Sequence, residues 1–257
     1  MEIITSVSNK IVKYARSLKA KKARDESGSF IVEGEKFVRE IAAPWEIEFL
    51  MISEENVAGM RVSGIPKCYV VARHVFAAIS DVVQPQGVLA VVRQRTCSLE
   101  EVIGAKNPLL LLLEDMQDPG NLGAVLRIAH GLGFCGVVMS DGCADVYNPK
   151  VIRGSAGSIF HISFVTASMA QAAAALKSRN VNVFAAKATA EHALFNLDFC
   201  GPTAFMIGNE ARGLSEEAAA LADMDVRIPI KAESLNASVA CGILAYEAFR
   251  QRSVSVG

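Results

Sequence analysis

Three stretches of the chain carry residue types able to orient and charge-stabilise a polar reactant. The first, "EDMQDPGNLGAVLR" from Glu114 to Arg127, sets Asn121 six residues before Arg127 in a turn of acid, proline and glycine. The second, "FMIGNEARGLS" (205–215), brackets Glu210 and Arg212 between Gly208 and Gly213. The third, "RIPIKAESLNASVACGILAYEAFR" (227–250), reads as a short strand, a loop with Ser234 and Asn236, and a long amphipathic helix. Taken alone, the first is equally a phosphate cradle, a helix cap beside an ordinary surface arginine, or a catalytic loop. A dinucleotide turn needs G-x-G-x-x-G at the strand–helix junction, and Gly120 and Gly123 do not supply it. The Walker pattern is absent as well, so nicotinamide and nucleoside-triphosphate chemistry are both disfavoured.

These loops need elements to hold them. With 257 residues of which 51 % are hydrophobic, and a mean hydropathy of +0.30, the chain has material for one large or two small domains. The runs "LLLLLE" (109–114), "GVVMS" (136–140), "VNVFAA" (181–186) and "AFMIGN" (204–209) are short and do not alternate. Such runs predict parallel strands covered on both faces by helices. Asn121 is placed as the cap of a helix running to about His130, with Gly123 and Ala124 keeping its first turn thin. Gly208 lets the chain turn as its strand ends, and Ser215 caps the "EEAAAL" helix. Ser234-Leu235-Asn236 falls at the amino end of the last helix, where free N–H groups gather.

Residues 1–94 read as a separate small α/β domain. "SNKIVKYARSLKAKK" predicts one helix capped by Ser8, with Ile11, Ala15 and Leu18 on its inner face. Strands are expected at "SFIVEG", "IEFLMIS", "KCYVVA" and "GVLAVVRQ", with helices at "EKFVREIAA" and near Arg73 to Ile79. Residues 95–107 are more polar, hold no strong period and are taken as a linker to the domain 108–257.

Charge nearly balances, at 26 Lys+Arg against 27 Asp+Glu, so a basic surface has to be local. Seven cations and no acid lie between Asn9 and Arg24: Lys10, Lys13, Arg16, Lys19, Lys21, Lys22 and Arg24. Such a cluster neutralises phosphates, or is simply a solvated helix face; RNA or DNA is favoured over a membrane because no Trp or Phe anchors the stripe. The six cysteines form no CxxC and have no histidine at metal spacing, which predicts free thiols and no metal. The amino terminus lacks an apolar signal core and no stretch approaches the roughly 20 residues of a membrane span, so a cytoplasmic protein without membrane association is expected.

The three motifs together resemble those of the SpoU/TrmH family of RNA ribose 2′-O-methyltransferases, in the knotted SPOUT superfamily. The family pattern N-x-G-x-x-x-R-x-A stands here as Asn121 to Ala129, G-x-E-x-x-G-L as Gly208 to Leu214, and the third as Ile228-Pro229-Ile230 with Ser234 to Ala240. "VYNPKVIRGSAGS" (146–158) is similar to the family's linking segment, and residues before 95 resemble its ribosomal-protein-like substrate-binding domain. Departures are Ile230, Ala237 and Ile128, none of which removes an expected polar group.

The resemblance implies a small N-terminal RNA-binding domain and a C-terminal parallel-sheet domain with a deep trefoil knot. It implies S-adenosylmethionine (AdoMet) held by backbone groups of Gly208, Ile228 and Leu235, with the loop at Ala186 and Lys187 a lesser contributor. It casts Arg127 as the group that handles the 2′-hydroxyl, Asn121 and Ser234 as orienting the ribose, and Asn236 as holding the motif loops. Glu210 fixes Arg127 or the loops, or is structural. Lys10, Lys13, Lys19, Lys21, Lys22 and Arg153 are the RNA-binding candidates, Arg153 acting across a homodimer whose knot helices pack together. Ribosomal RNA is favoured as substrate; a tRNA methyltransferase and a non-catalytic RNA-binding factor on the same fold are the alternatives.

Overall fold

The computed structural model describes residues 3–59 and 67–254. Positions 1–2, 60–66 and 255–257, which fall within the expected ranges 1–94 and 108–257, lie outside the described residues. The chain runs β1 (Ile3–Ile4), α1 (Lys10–Ser17), α2 (Lys21–Ser27), β2 (Ser29–Glu33), α3 (Glu35–Arg39), β3 (Ile47–Ser53), β4 (Cys68–Val71), α4 (Arg73–Ile79) and β5 (Val88–Arg93). It continues through α5 (Leu99–Ile103), β6 (Leu109–Leu113), α6 (Pro119–Gly131), β7 (Gly136–Met139), α7 (Pro149–Gly154), β8 (Ser163–Thr166) and α8 (Met169–Lys177). Then follow β9 (Asn182–Ala186), β10 (Thr203–Ile207), α9 (Glu216–Ala219), β11 (Met224–Val226) and α10 (Ala237–Val254). By contact these fall into two compact units, Met1–Arg95 with Asp145–Phe160, and Thr96–Ala144 with His161–Gly257.

In the first unit the described residues form a five-stranded mixed sheet in the order β1-β4-β3-β5-β2. Val12, Ala15 and Leu18 of the amino-terminal stretch are fully buried against Phe76, Ile79 and the sheet residues Met51, Leu89 and Val91. The expected single helix is two. α1 is capped by Asn9, whose side chain accepts from the Ile11 N–H at 2.9 Å, and not by Ser8. It stops at Leu18, and an extended Ala20 precedes α2. The reason lies in Arg24. Its guanidinium is buried and donates to the carbonyls of Leu18 and Lys19, both at 2.8 Å, so it satisfies groups a helix end leaves open. The same guanidinium meets Asp145, its Nε at 3.0 Å. The segment 145–160 is further held in this unit by Phe30 against Tyr147 and by the Trp45 Nε1–H donating to the Phe160 carbonyl at 3.0 Å.

In the second unit the described residues form a six-stranded, all-parallel sheet in the order β11-β9-β10-β6-β7-β8. The five leucines of β6 occupy a central position, each at most 2 % exposed. Burial of each such side chain contributes about 1.5–3 kcal/mol. Leu110 and Leu112 pack with Val102 and Ile103 of α5 and with Met169, Ala172 and Leu176 of α8. Alternation along the strand leaves Leu109, Leu111 and Leu113 for the opposite face, where α6 and α10 pack together. The stretch 95–107 therefore contains a helix absent from the sequence reading. Ser98 and Glu101 form a reciprocal capping box at its start, and its buried Val102 and Ile103 belong to the core. The third motif's strand also shifts: β11 ends at Val226, and Arg227 makes only an isolated bridge to Ala193.

The chain leaves β6 for β7 on one side and leaves β10 for β11 on the other. Where neighbouring parallel strands send their connections in opposite directions, a crevice opens beyond their carboxyl ends. The first and second motifs both start there.

Candidate active site

β6 ends at Leu113, and the next two residues anchor the second motif. The Glu114 carboxylate accepts from the Ser215 N–H at 2.8 Å and the Ser215 hydroxyl at 2.6 Å, while Ser215 caps α9. Asp115 has a left-handed backbone at φ +51°, and its carbonyl accepts from Asn209 Nδ2 at 2.8 Å. Asn209 Oδ1 in turn accepts from the N–H groups of Ala211 and Arg212, shaping the turn from within. Arg212 reaches Asp115 at 3.6 Å.

The cap of α6 is Asp118, not Asn121. Its carboxylate accepts from the Asn121 N–H at 2.8 Å, and Pro119 takes the first helical position, where a missing N–H costs nothing. Asn121 is thereby placed in the first turn with its side chain free for another task. Its Nδ2 donates to Glu210 at 3.0 Å. Its Oδ1 accepts from Asn236 Nδ2 at 3.0 Å and from the Ser238 hydroxyl at 3.3 Å. One side chain of the first motif thus bonds both of the others. Asn236 also caps the start of α10, its Oδ1 accepting from the Ser238 N–H at 2.9 Å.

Glu210 additionally accepts from the Asp118 N–H at 3.2 Å and, among the described residues, makes no contact with Arg127. Burial alone would raise its carboxyl pKa. The hydrogen bonds from the Asn121 amide and from backbone N–H groups outweigh that and hold it below the ordinary carboxylate range. A carboxylate depressed on folding contributes stability that is complete above the unfolded value of about 4.3 and is lost as pH falls through the lower folded value. Glu210→Gln is therefore expected to melt lower than the parent chain at pH 7, by about 0.5 kcal/mol given the screening at this exposed group, with the gap closing below about pH 4. Thermal melts at the two pH values check this.

The other expected residues fall as follows. Arg127 is exposed on α6, one turn beyond Gly123 and Ala124, and has no ion pair among the described residues. Ser234 is exposed and makes no hydrogen bond among them, so the network passes through Ser238 instead. Gly208 is buried, while Ile228 and Leu235 are half-buried. Lys187 is spent on Asp225 at 2.9 Å. Among the described residues no backbone group from Ile228 to Leu235 enters a hydrogen bond within the chain, leaving a run of donors and acceptors for a ligand such as AdoMet. No cluster that could hold a metal occurs among the described residues.

In the first unit the basic stretch divides. Lys19 is paired with Asp81 at 2.8 Å, Lys21 with Asp25 at 2.6 Å and Lys22 with Glu26 at 3.8 Å. Lys10, Lys13 and Arg16 are exposed with no ion pair among the described residues. Arg153 lies half-buried on α7. Asp118, Asn209 and Ser238 were missed in sequence. Asp-Pro at the start of α6 signals the first, and the second serine of "SLNAS" the last.

Residues 108–246 match the model of the SpoU rRNA methylase family, and residues 9–90 that of the MRM3-like substrate binding domain. The chain is 31 % identical over 249 residues to a 23S rRNA (guanosine(2553)-2′-O)-methyltransferase, RlmP, of Bacillus subtilis, covering 96 % of this chain and 98 % of the relative. An AdoMet-bound rRNA methyltransferase from Sinorhizobium meliloti superposes with TM-score 0.87 at 30 % identity, over 97 % of both chains. A structure concerned with 2-OH methylation of C/U34 on tRNA superposes with TM-score 0.52 at 30 % identity, over 58 % of this chain and 99 % of that one.

Proposed function

From a chain that belongs to the SpoU rRNA methylase family, we propose transfer of a methyl group from AdoMet to a ribose 2′-hydroxyl of ribosomal RNA. The observation that carries this is the Asn121 junction, which binds Glu210, Asn236 and Ser238 beyond the carboxyl ends of β6 and β10. AdoMet supplies an activated methyl on a sulfonium when bound. The protein's work is then alignment and care of the hydroxyl. Gly208, Ile228 and Leu235 would hold the cofactor through backbone groups. A guanidinium stays protonated in proteins, so Arg127 serves as a clamp on the neighbouring phosphate and a stabiliser of the developing alkoxide, not as a base. Asn121 and Ser234 orient the ribose, and Asn236 and Glu210 keep the loops in register. Lys10 and Lys13, joined by Arg16, meet phosphates from α1; the paired Lys19, Lys21 and Lys22 do so less, and Arg153 acts from α7.

A substrate-binding domain at residues 1–94 and a methyltransferase domain at 108–257 belong to the same proposal; of the expected linker 95–107, α5 packs in the second unit's core, and the segment 145–160 belongs by contact to the first unit. The trefoil knot is part of the proposal too, supported by the insertion of β10 between β9 and β6 and by the return of α10 onto α6. Ribosomal RNA is favoured over tRNA because the similarity to the rRNA enzymes runs through both units, whereas the tRNA-related likeness covers 58 % of the chain. A non-catalytic role is opposed by the presence of Arg127, Asn121 and Ser234, and calorimetry with AdoMet separates the two. The cytoplasm, with its rRNA and reducing conditions that suit six free cysteines, is the proposed location. Mapping of ribose methylation on total RNA, with and without the protein, tests the whole reading; an unchanged map of rRNA would sink it.

A homodimer is proposed through α10. Val239, Ile243, Tyr246 and Phe249 are exposed at near-helical spacing along one face, with Tyr246 60 % accessible. Tyr246→Glu is expected to weaken self-association at least about tenfold, since a charge buried in such a face lacks a partner. Light scattering across a concentration series reads the result.

A further inference from the structure

β2 and β3 both run antiparallel to β5, so their carboxyl ends meet its start at one end of the first unit's sheet. An open groove of about 580 Å³ lies there, lined by Glu35, Lys36, Arg39, Asn56 and Gln86. Two glycines with left-handed backbone lie against its amide side chains, Gly34 at φ +109° and Gly87 at φ +73°. A Cβ on Gly34 would come within 3.1 Å of Gln86 Oε1, and one on Gly87 within 2.1 Å of Asn56 Oδ1. Bare backbone therefore lets two primary amides lie close in. Gln86 Oε1 accepts from the Glu35 N–H at 3.2 Å, which fixes its orientation and leaves its NH₂ uncommitted. The Asn56 side chain makes no hydrogen bond among the described residues. Glu35 is spent on Arg39 at 2.5 Å, and Lys36 has no ion pair among them.

Paired donors and acceptors of this kind match base edges, and in RNA those edges are open where a nucleotide is unstacked. Cations beside them suit the flanking phosphates. A volume of this size accommodates one nucleotide. We propose that the groove takes one unstacked nucleotide of the RNA substrate, with Asn56 and Gln86 on its base edge and Lys36, joined less by the Glu35-paired Arg39, on its phosphates. The inference rests on the RNA reading above, and it gives the first unit a base-selective contact that the lysines of α1 cannot supply.

The test uses the full chain with ribosomal RNA lacking the modification. In Asn56→Ala/Gln86→Ala the KM for this RNA rises about tenfold, while kcat, AdoMet affinity and the salt dependence of RNA binding stay as in the parent. Lys36→Ala/Arg39→Ala instead makes the salt dependence shallower. Gln86→Glu, which keeps the shape and replaces a donor by an acceptor, also raises KM, and so guards against a folding defect in the double variant. KM and rRNA affinity within about twofold of the parent in all three variants would overturn the proposal. A parent chain that binds the RNA without methylating it would instead refute the proposed function, and the ratio of rRNA affinities between variant and parent would still decide the groove.

Discussion

Replacing Arg127 with alanine is expected to slow methyl transfer by at least about 10²–10³-fold, the cost of one preorganised donor at a developing oxyanion, with AdoMet affinity within about twofold of the parent. The expectation follows from position. Arg127 is exposed on α6 and has no ion pair among the described residues, so its removal releases no buried partner. Alanine is the strongest helix former, so α6 should persist and the melting temperature should hold. What is lost is the charged fork to which the proposed mechanism gives the neighbouring phosphate and the developing alkoxide. Arg127→Lys keeps the charge but not the fork, and should fall between the two. Single-turnover transfer of labelled methyl to rRNA, beside calorimetry with AdoMet, separates chemistry from cofactor binding. Parent-level transfer by the alanine variant would remove Arg127 from the mechanism.

Gly208→Ala is the second large effect. An added Cβ would lie 2.2 Å from the Gly213 carbonyl carbon and 2.3 Å from the Leu214 nitrogen. Both are backbone atoms of the same turn, which Asn209 already ties from inside, so neither can swing aside as a side chain would. The turn must open, carrying Glu210 from Asn121 and disrupting the proposed AdoMet site. AdoMet affinity is expected to fall by more than about 100-fold, the scale of a lost preorganised site. Gly213→Ala is the informative comparison. Gly213 has φ +69° but open space around its Cβ direction, so alanine there costs only the left-handed strain of about 1–2 kcal/mol. If the two variants bound AdoMet equally well, collision at Gly208 would not be what shapes the loop.

The buried strands were legible because a strand covered on both faces has no polar side to show. β3, β6, β7, β9 and β10 lie within a residue or two of their apolar runs. The edge strands were harder to read: β8 escaped notice and β11 was expected a few residues too late, at Arg227, because each is short and Ser163, Thr166 and Asp225 dilute it where solvent reaches. The motif residues were visible by type and spacing, but their bonds were not. Asn121 meets Glu210 across 89 positions and Asn236 across 115, and no local rule joins them. The same holds for the amino-terminal cations. Asp81 and Asp145, which neutralise Lys19 and Arg24, are remote in sequence, so the stretch looks more basic in letters than it is in space.

The amide at Asn121 gives with one end and takes with the other. An aspartate there would match it in outline almost atom for atom, yet it would have nothing to offer Glu210 and would set two anions face to face. A leucine would match it in bulk and satisfy none of Glu210, Asn236 and Ser238. What the junction requires at this position is therefore the direction of a dipole more than a volume, and a redesign that scores only fit would choose wrongly there.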